Sequence, residues 1–349
     1  MTPGGQRFLA WLLATAALLS AAVLAITWLV DPYGLLSARG ETPGLCTPGI
    51  RTNDDRYLKP VLARLYQPEE VVLGSSRALT AFSEDSFARR TGRRTVNLAL
   101  SNASLEEVDW LAREAVAEAP VRRVWIGLDF GAFVMPDPEG RALAPVWSIA
   151  DADATALRYG LLDPHALRAG LLVLADPAGC REPGFTPHGF ILRATSYAGT
   201  SVALPVLPDA RTRAALVQRW RLDRGPNAAA GAARLARLDA LLDFLHRRGI
   251  STMLFITPSH PLYHAMVAEA GLAARYRSWR EDVRAIVARR GTTLVMSDSP
   301  AFLYAIRAPE CPGAAAPLNC LFYDTTHARP IVGDAIVRAA LAMERPSRQ

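Results

Sequence analysis

Lysine is almost missing from this chain of 349 residues: Lys59 is the only one, and the remaining cations are arginines. The formal charge of +6 therefore comes from scattered guanidinium groups. No Arg/Lys run is dense enough to track a phosphate backbone, so nucleic acid is not an expected partner. Enrichment in Ala and Arg together reads as codon bias rather than as a binding surface. Metal-ligand patterns are missing too. The four cysteines, Cys46, Cys180, Cys311 and Cys320, form no Cys-x-x-Cys pair, and none clusters with histidine at ligand spacing. His260 and His264 are four apart, but Pro261 lies between them and no carboxylate completes a set. No internal repeat is present.

What the chain does have is apolar mass. Half of its residues are hydrophobic, enough for one large core or one core with a sizeable insertion. The most concentrated apolar stretch is Phe8 to Val30, unbroken by charge, with Trp11 and Trp28 near its ends. That length at helical rise crosses a bilayer, and indole rings favour the interface. A cleavable signal has an apolar region of roughly 7–15 residues, so the run reads as a retained anchor, although Ser20-Ala21-Ala22 offers a cleavage site. Arg7 and the terminal amine place residues 1–7 in the cytoplasm by the positive-inside rule. All four cysteines follow the anchor. Cys311 and Cys320 share one Pro/Gly-rich loop where a disulfide would close a short ring, leaving Cys46 with Cys180; four unrelated thiols are the alternative. The expectation is a single-pass inner-membrane protein whose bulk is periplasmic in a Gram-negative cell.

After the anchor, Asp31 to Arg51 is rich in Pro and Gly, and residues 31–68 read as a membrane-proximal linker. Short apolar runs then alternate with helical patterns. Strands are expected at Val71–Leu73, Arg94–Leu100, Arg122–Phe130, Ile250–Pro258 and Thr292–Asp298. Helices are expected at Glu84–Arg90, after Ser104, up to Gly249, over Ala265–Arg290 and over Arg329–Glu344. Ser104 and Glu107 have the spacing of a capping box. This alternation argues for an α/β domain, 69–130 and 228–349, built on a parallel sheet covered on both faces. Residues 131–227 break the rhythm and read as an insertion after strand three.

In such sheets chemistry collects at the carboxyl ends of the strands. Gly74-Ser75-Ser76-Arg77 follows the first strand, and "FYDTTHARP" brings Asp324 and His327, three apart, just before the last helix. A hydroxyl nucleophile needs a base, and the base needs an anion to hold its tautomer. Ser76, His327 and Asp324 supply those parts from two short segments. Arg77 reads first as a helix-start residue able to pair with a carboxylate, and secondarily as a holder of an anionic substrate. His260 reads as a residue at the site's rim.

Gly74-Ser75-Ser76 and Asp324-Thr325-Thr326-His327 resemble the opening and closing motif blocks of the SGNH (GDSL-like) hydrolase and acyltransferase superfamily. The resemblance covers Val71 to Gly131 and Gly249 to Ala340. With "DPYG" after the anchor, "GSSR" at the turn and "TPSHP" at Thr257–Pro261, the layout is similar to the membrane-anchored periplasmic branch associated with polysaccharide O-acetylation. The resemblance implies a three-layer, flavodoxin-like SGNH fold with five parallel strands, and catalysis by Ser76, His327 and Asp324 without a cofactor. It departs from the family at two places. No Gly occurs in Leu100–Ala103, so Ser101 or Asn102 is expected to donate to the oxyanion instead. Asp129 stands where the family has Asn; ionised, it cannot donate and its charge opposes an oxyanion, so it is protonated by burial, or serves another role, or activity is low.

The function implied is a membrane-anchored serine esterase or O-acyltransferase acting on acyl, most simply acetyl, esters of a cell-envelope or exported polysaccharide. Its implied partners are that glycan and the subunits of an envelope acetylation complex. The alternative is a non-catalytic assembly or glycan-binding subunit that keeps the fold.

Overall fold

The computed structural model describes residues 3–31, 55–134, 149–151, 154, 161–175, 188–190, 207–224, 228–306 and 318–344. The chain begins with α1 (Pro3–Val30), a helix long and apolar enough to cross a membrane, whose most apolar window is entirely unburied. Then come α2 (Asp55–Tyr66), β1 (Glu70–Leu73), α3 (Ser76–Ala81), α4 (Glu84–Thr91), β2 (Thr95–Asn97) and α5 (Leu105–Glu118). They are followed by β3 (Arg123–Leu128), α6 (Phe130–Val134), α7 (Pro164–Ala175), α8 (Ala210–Arg224) and α9 (Ala228–Arg247). The last part holds β4 (Ser251–Ile256), α10 (Pro261–Glu269), α11 (Ala273–Arg290), β5 (Thr293–Val295), α12 (Pro300–Tyr304) and α13 (Pro330–Glu344).

The five strands are all parallel, in the order β2-β1-β3-β4-β5. Their side chains alternate between two cores. Val71, Leu73, Val124, Ile126, Leu254 and Ile256 face α5, α9 and α11. Val72, Trp125, Met253, Phe255 and Val295 face α3, α4, α12 and α13. Burial on both faces is why these strands read as continuous apolar runs rather than alternating ones. The order carries a functional consequence. From β1 the chain steps outward to β2 and then returns to β3 on the other side of β1. That reversal leaves a crevice at the carboxyl ends of β1 and β3, where Ser75-Ser76 and Asp129 stand.

The capping box at the start of α5 forms as its spacing requires: the Glu107 N–H donates to Ser104 Oγ at 3.2 Å, and the Ser104 N–H donates to Glu107 Oε2 at 2.8 Å. Other expectations change. Residues 31–68 do not form a linker throughout: α2 is a core helix whose Leu62 and Ala63 pack in the first cluster. Pro60 sits inside it, and it is this residue that hides the helix from a reading by breakers. Expected Ala265–Arg290 is two helices parted at Gly271, which adopts φ 74°. β2 and β5 are three residues each, shorter than their apolar runs. Most of 131–227, with Cys46, Cys180 and Cys311, lies outside the described residues. Cys320 is disulfide-bonded.

Lys59 joins α2 to the rest. It is completely buried, and its ammonium donates to the carbonyls of Asn97 at 2.6 Å and Gly189 at 2.7 Å. The neighbouring His188 carbonyl accepts the Asn97 N–H at 2.9 Å, so a piece of the insertion closes the edge beside β2. Gly189 has φ 79°, and a Cβ there would lie 2.7 Å from the Asn97 carbonyl oxygen and 2.9 Å from the lysine nitrogen. Only glycine lets these strands of contact converge. Burial pushes the Lys59 pKa down to about 7, against the pull of the Asp55 carboxylate. A buried sole lysine gives a direct test. In the folded protein an amine-reactive acetylating reagent should modify the α-amine but spare Lys59, and Lys59 should react once urea unfolds the chain. Rapid native acetylation of Lys59, read by peptide mass mapping, would contradict this packing.

Candidate active site

The turn after β1 begins at Gly74, which adopts φ 138°. A Cβ there would sit 2.9 Å from Ala78 Cβ and 3.1 Å from the Gly127 carbonyl oxygen, so the turn is built on a glycine. The two hydroxyls that follow divide their tasks. Ser75 is the N-cap of α3 and accepts the Arg77 N–H at 3.2 Å. Ser76, the first helical residue, is only partly buried and projects its hydroxyl toward the other end of the chain.

His327 Nε2 lies 2.9 Å from Ser76 Oγ, and His327 Nδ1 lies 2.7 Å from Asp324 Oδ2. A carboxylate can only accept, so Asp324 assigns the proton to Nδ1 and leaves Nε2 free to accept from Ser76. The other carboxylate oxygen, Asp324 Oδ1, accepts the backbone N–H groups of Thr326 at 2.6 Å and His327 at 2.8 Å, and the Thr326 hydroxyl at 3.0 Å. Burial opposes ionisation of Asp324. The hydrogen bond and charge of His327 and the two backbone donors outweigh it and hold its pKa down, to about 2. One local and one long-range feature fix this loop and set it against Ser76. The Tyr323 N–H donates to the His327 carbonyl at 2.8 Å, closing the loop on itself. In α13, Gly333 lies so close to the Ala81 carbonyl that any side chain would collide with it. The helix after His327 thus packs directly on the helix of Ser76.

The remaining expected site residues are placed differently. Asp129, after β3, accepts the hydroxyls of Ser75 and Thr257, and pairs with Arg77 Nε at 3.2 Å. It is buried and turned into the clamp between β1, β3 and β4, the other role left open for it. Arg77 is committed to the same clamp: besides Asp129 it donates to Ser259 Oγ at 3.1 Å and lies over the Tyr263 ring at 4.4 Å. It is therefore a positioning residue here and not a free anion holder. Ser101 offers no free backbone donor, because its N–H donates to Asp55 Oδ2 at 2.6 Å. Asn102 is the exposed tip of that loop, with φ 52°, and its side chain has no hydrogen-bond partner among the described residues. The loop is held beside the nucleophile's turn by the Leu100 N–H donating to the Gly74 carbonyl at 3.0 Å. His260 is buried rather than at a rim. It caps α10, its Nδ1 accepting the Leu262 N–H at 3.1 Å, and its own N–H donates to the Thr325 carbonyl at 3.1 Å. It braces the Asp324–His327 loop from behind.

Among residues the sequence reading passed over, Asp55 and Arg56 carry the most. Asp55 takes the Ser101 N–H, and Arg56 donates to the Ser101 carbonyl at 3.1 Å and to Glu107 at 2.6 Å. Nothing in a segment read as linker announces that role. Compared with known proteins, no family model matches the chain, and no curated protein is significantly similar to it.

The clamp and the triad each generate an expectation. Removing the cation in Arg77→Met strands a buried carboxylate and should cost about 3–5 kcal/mol of stability in urea unfolding; adding Asp129→Asn should recover much of the loss. Simple additivity of the two changes would contradict the pairing. For Asp324, the folded pKa of about 2 lies below its ordinary value of 3.8. Its contribution, on the order of 2 kcal/mol, is therefore present above pH 4 and lost as pH falls toward 2. The stability gap between wild type and Asp324→Asn should close over that window, and a gap unchanged between pH 5 and pH 2 would contradict it.

Proposed function

We propose that this protein is a membrane-anchored serine acyl-ester hydrolase or O-acyltransferase of the SGNH type, acting on acyl esters of a cell-envelope polysaccharide. The observation that carries the reading is the continuous hydrogen-bond chain from Ser76 through His327 to Asp324, at 2.9 Å and 2.7 Å, on the carboxyl edge of a parallel sheet. Support for the class comes from the two motif blocks, and for the glycan from the layout of anchor, "GSSR" and "TPSHP". Exposure of the domain outside the cytoplasm is supported by α1 and by the disulfide at Cys320.

In the proposed reaction His327 Nε2 takes the Ser76 proton as Oγ bonds to the acyl carbonyl carbon. The carbonyl π electrons move to oxygen, giving a tetrahedral oxyanion. The Ser76 N–H, at the first helical position, has no intrahelical partner and can donate to it. With Ser101 committed to Asp55, Asn102 is the second donor. Collapse of the intermediate breaks the ester bond to the leaving alcohol, which takes the proton from His327, and leaves acyl-Ser76. A second hydroxyl, of water or of a sugar, then gives its proton to His327 and attacks the acyl carbon; the acyl–Oγ bond breaks as His327 returns that proton to Oγ, regenerating Ser76 and neutral His327. Asp324 stays ionised through both halves and stabilises the imidazolium. Asp129 takes no part as a donor; paired with Arg77, it fixes the turn that presents Ser76.

The loss of the Ser101 N–H to Asp55 favours one second reading, a glycan-binding subunit with this fold and no turnover. A serine-reactive fluorophosphonate separates the two. Full-length protein in detergent should label at Ser76, and Ser76→Ala and His327→Ala should abolish labelling. Asp324→Asn, which leaves the imidazole in the wrong tautomer, should slow labelling by about 10⁴-fold. Folded wild-type protein that labels no faster than Ser76→Ala would overturn the enzymatic reading.

A further inference from the structure

Helix α7 lies within the insertion, and its best-defined packing is against the membrane helix. Gly170 is the point of approach: a Cβ there would meet Ile26 Cγ2 at 3.4 Å and Val30 Cβ at 3.8 Å. Just before α7, the Leu161 carbonyl accepts a hydrogen bond from the Thr27 hydroxyl at 3.2 Å. These contacts bury Thr27 and Val30, at the carboxyl end of a helix otherwise open along its length. Beside this contact α7 leaves an apolar surface uncovered. Leu171, Leu172 and Leu174 are 48%, 44% and 46% exposed, and Leu162 just ahead of the helix is 66% exposed. Aqueous surfaces seldom leave several leucines together uncovered. The helix contains no acidic residue, and its one permanent charge, Arg168, is exposed.

We propose that α7 is an interfacial helix, lying in the leaflet that α1 leaves at Val30 with its leucine face among the acyl chains. The proposal rests on α1 crossing that bilayer. Length decides between lying and crossing: at 1.5 Å per residue, 12 residues span about 18 Å, too little for a hydrocarbon core of about 30 Å. The seam at Gly170 makes the leucine face continuous with the lipid-facing surface of α1. Arg168 can extend its charge to phosphate headgroups while its methylenes stay with the leucines. α7 therefore fixes how the insertion meets the membrane, giving the domain a second point of attachment beside the anchor.

Spin labelling of the full chain tests this. No described cysteine is free, so Leu171→Cys or Leu174→Cys introduces a thiol for a nitroxide, as do Leu12→Cys in α1 and the exposed Met343→Cys in α13. Each is reconstituted in vesicles of equimolar phosphatidylethanolamine and phosphatidylglycerol, and accessibility to oxygen and to a water-soluble nickel chelate is compared. The labels at 171 and 174 should favour oxygen several-fold over the label at 343, and approach the label at 12. Preference for the nickel chelate at 171 and 174, with 12 still oxygen-rich, would overturn the interfacial helix alone. Shielding from both reagents would overturn it in favour of a protein partner or a second copy. A water-accessible label at 12 would overturn both the crossing and the proposal.

Discussion

A carboxylate buried at the end of a strand must find donors and a counter-charge, and Asp129 finds both in a way that organises everything around it. Its donors come from two other strand ends: Ser75 and Arg77, both on the turn after β1, and Thr257 after β4. A clamp of that kind tolerates one arrangement of the three loops, because each donor lost leaves charge or polarity uncompensated in a poorly solvated place. The turn carrying Ser76 is one arm of the clamp, and the loop carrying Thr257 runs on to His260, which holds the Thr325 carbonyl. The position of both halves of the candidate triad is therefore tied to one buried ion pair.

Much of this could be read from the residues in order. The apolar runs marked the strands, Ser104 and Glu107 marked a helix start, and the parallel alternation placed Ser76 and Asp129 at the same edge. Asp324 and His327 were legible because their geometry is nearly local: three residues apart, with the backbone N–H groups between them supplying Asp324 with donors. Their meeting with Ser76, 251 residues away in sequence, followed from the strand-edge rule rather than from any local signal. What stayed hidden was non-local and polar. Ser101 looked like a donor until Asp55, from a helix masked by Pro60, claimed its N–H. Asp129 looked like a defect in an oxyanion site because its partners are hydroxyls and a guanidinium far apart in the chain.

Lys59 shows the same economy of charge on the other side of the β2 edge. One ammonium satisfies two carbonyls, from β2 and from the insertion, at the cost of a burial that pulls its pKa down to about 7. As with Asp129, a costly group ends the strand and ties a distant segment to it. The insertion is thus fastened at one point to the sheet edge through Gly189 and at another to α1 through Gly170. At Gly189 only a glycine fits, whereas at Gly170 a Cβ would make ordinary van der Waals contact with α1.

A nucleophilic Ser76 becomes acylated during turnover. The most direct measurement is acid-quenched peptide mapping of the folded full-length protein after brief exposure to an activated acetyl ester. One acetyl group is expected on the peptide carrying Ser76, absent in His327→Ala and lost on further incubation in buffer or with an added glycan acceptor. Acetyl found only at other residues, or equally on Ser76 in wild type and His327→Ala, would contradict it.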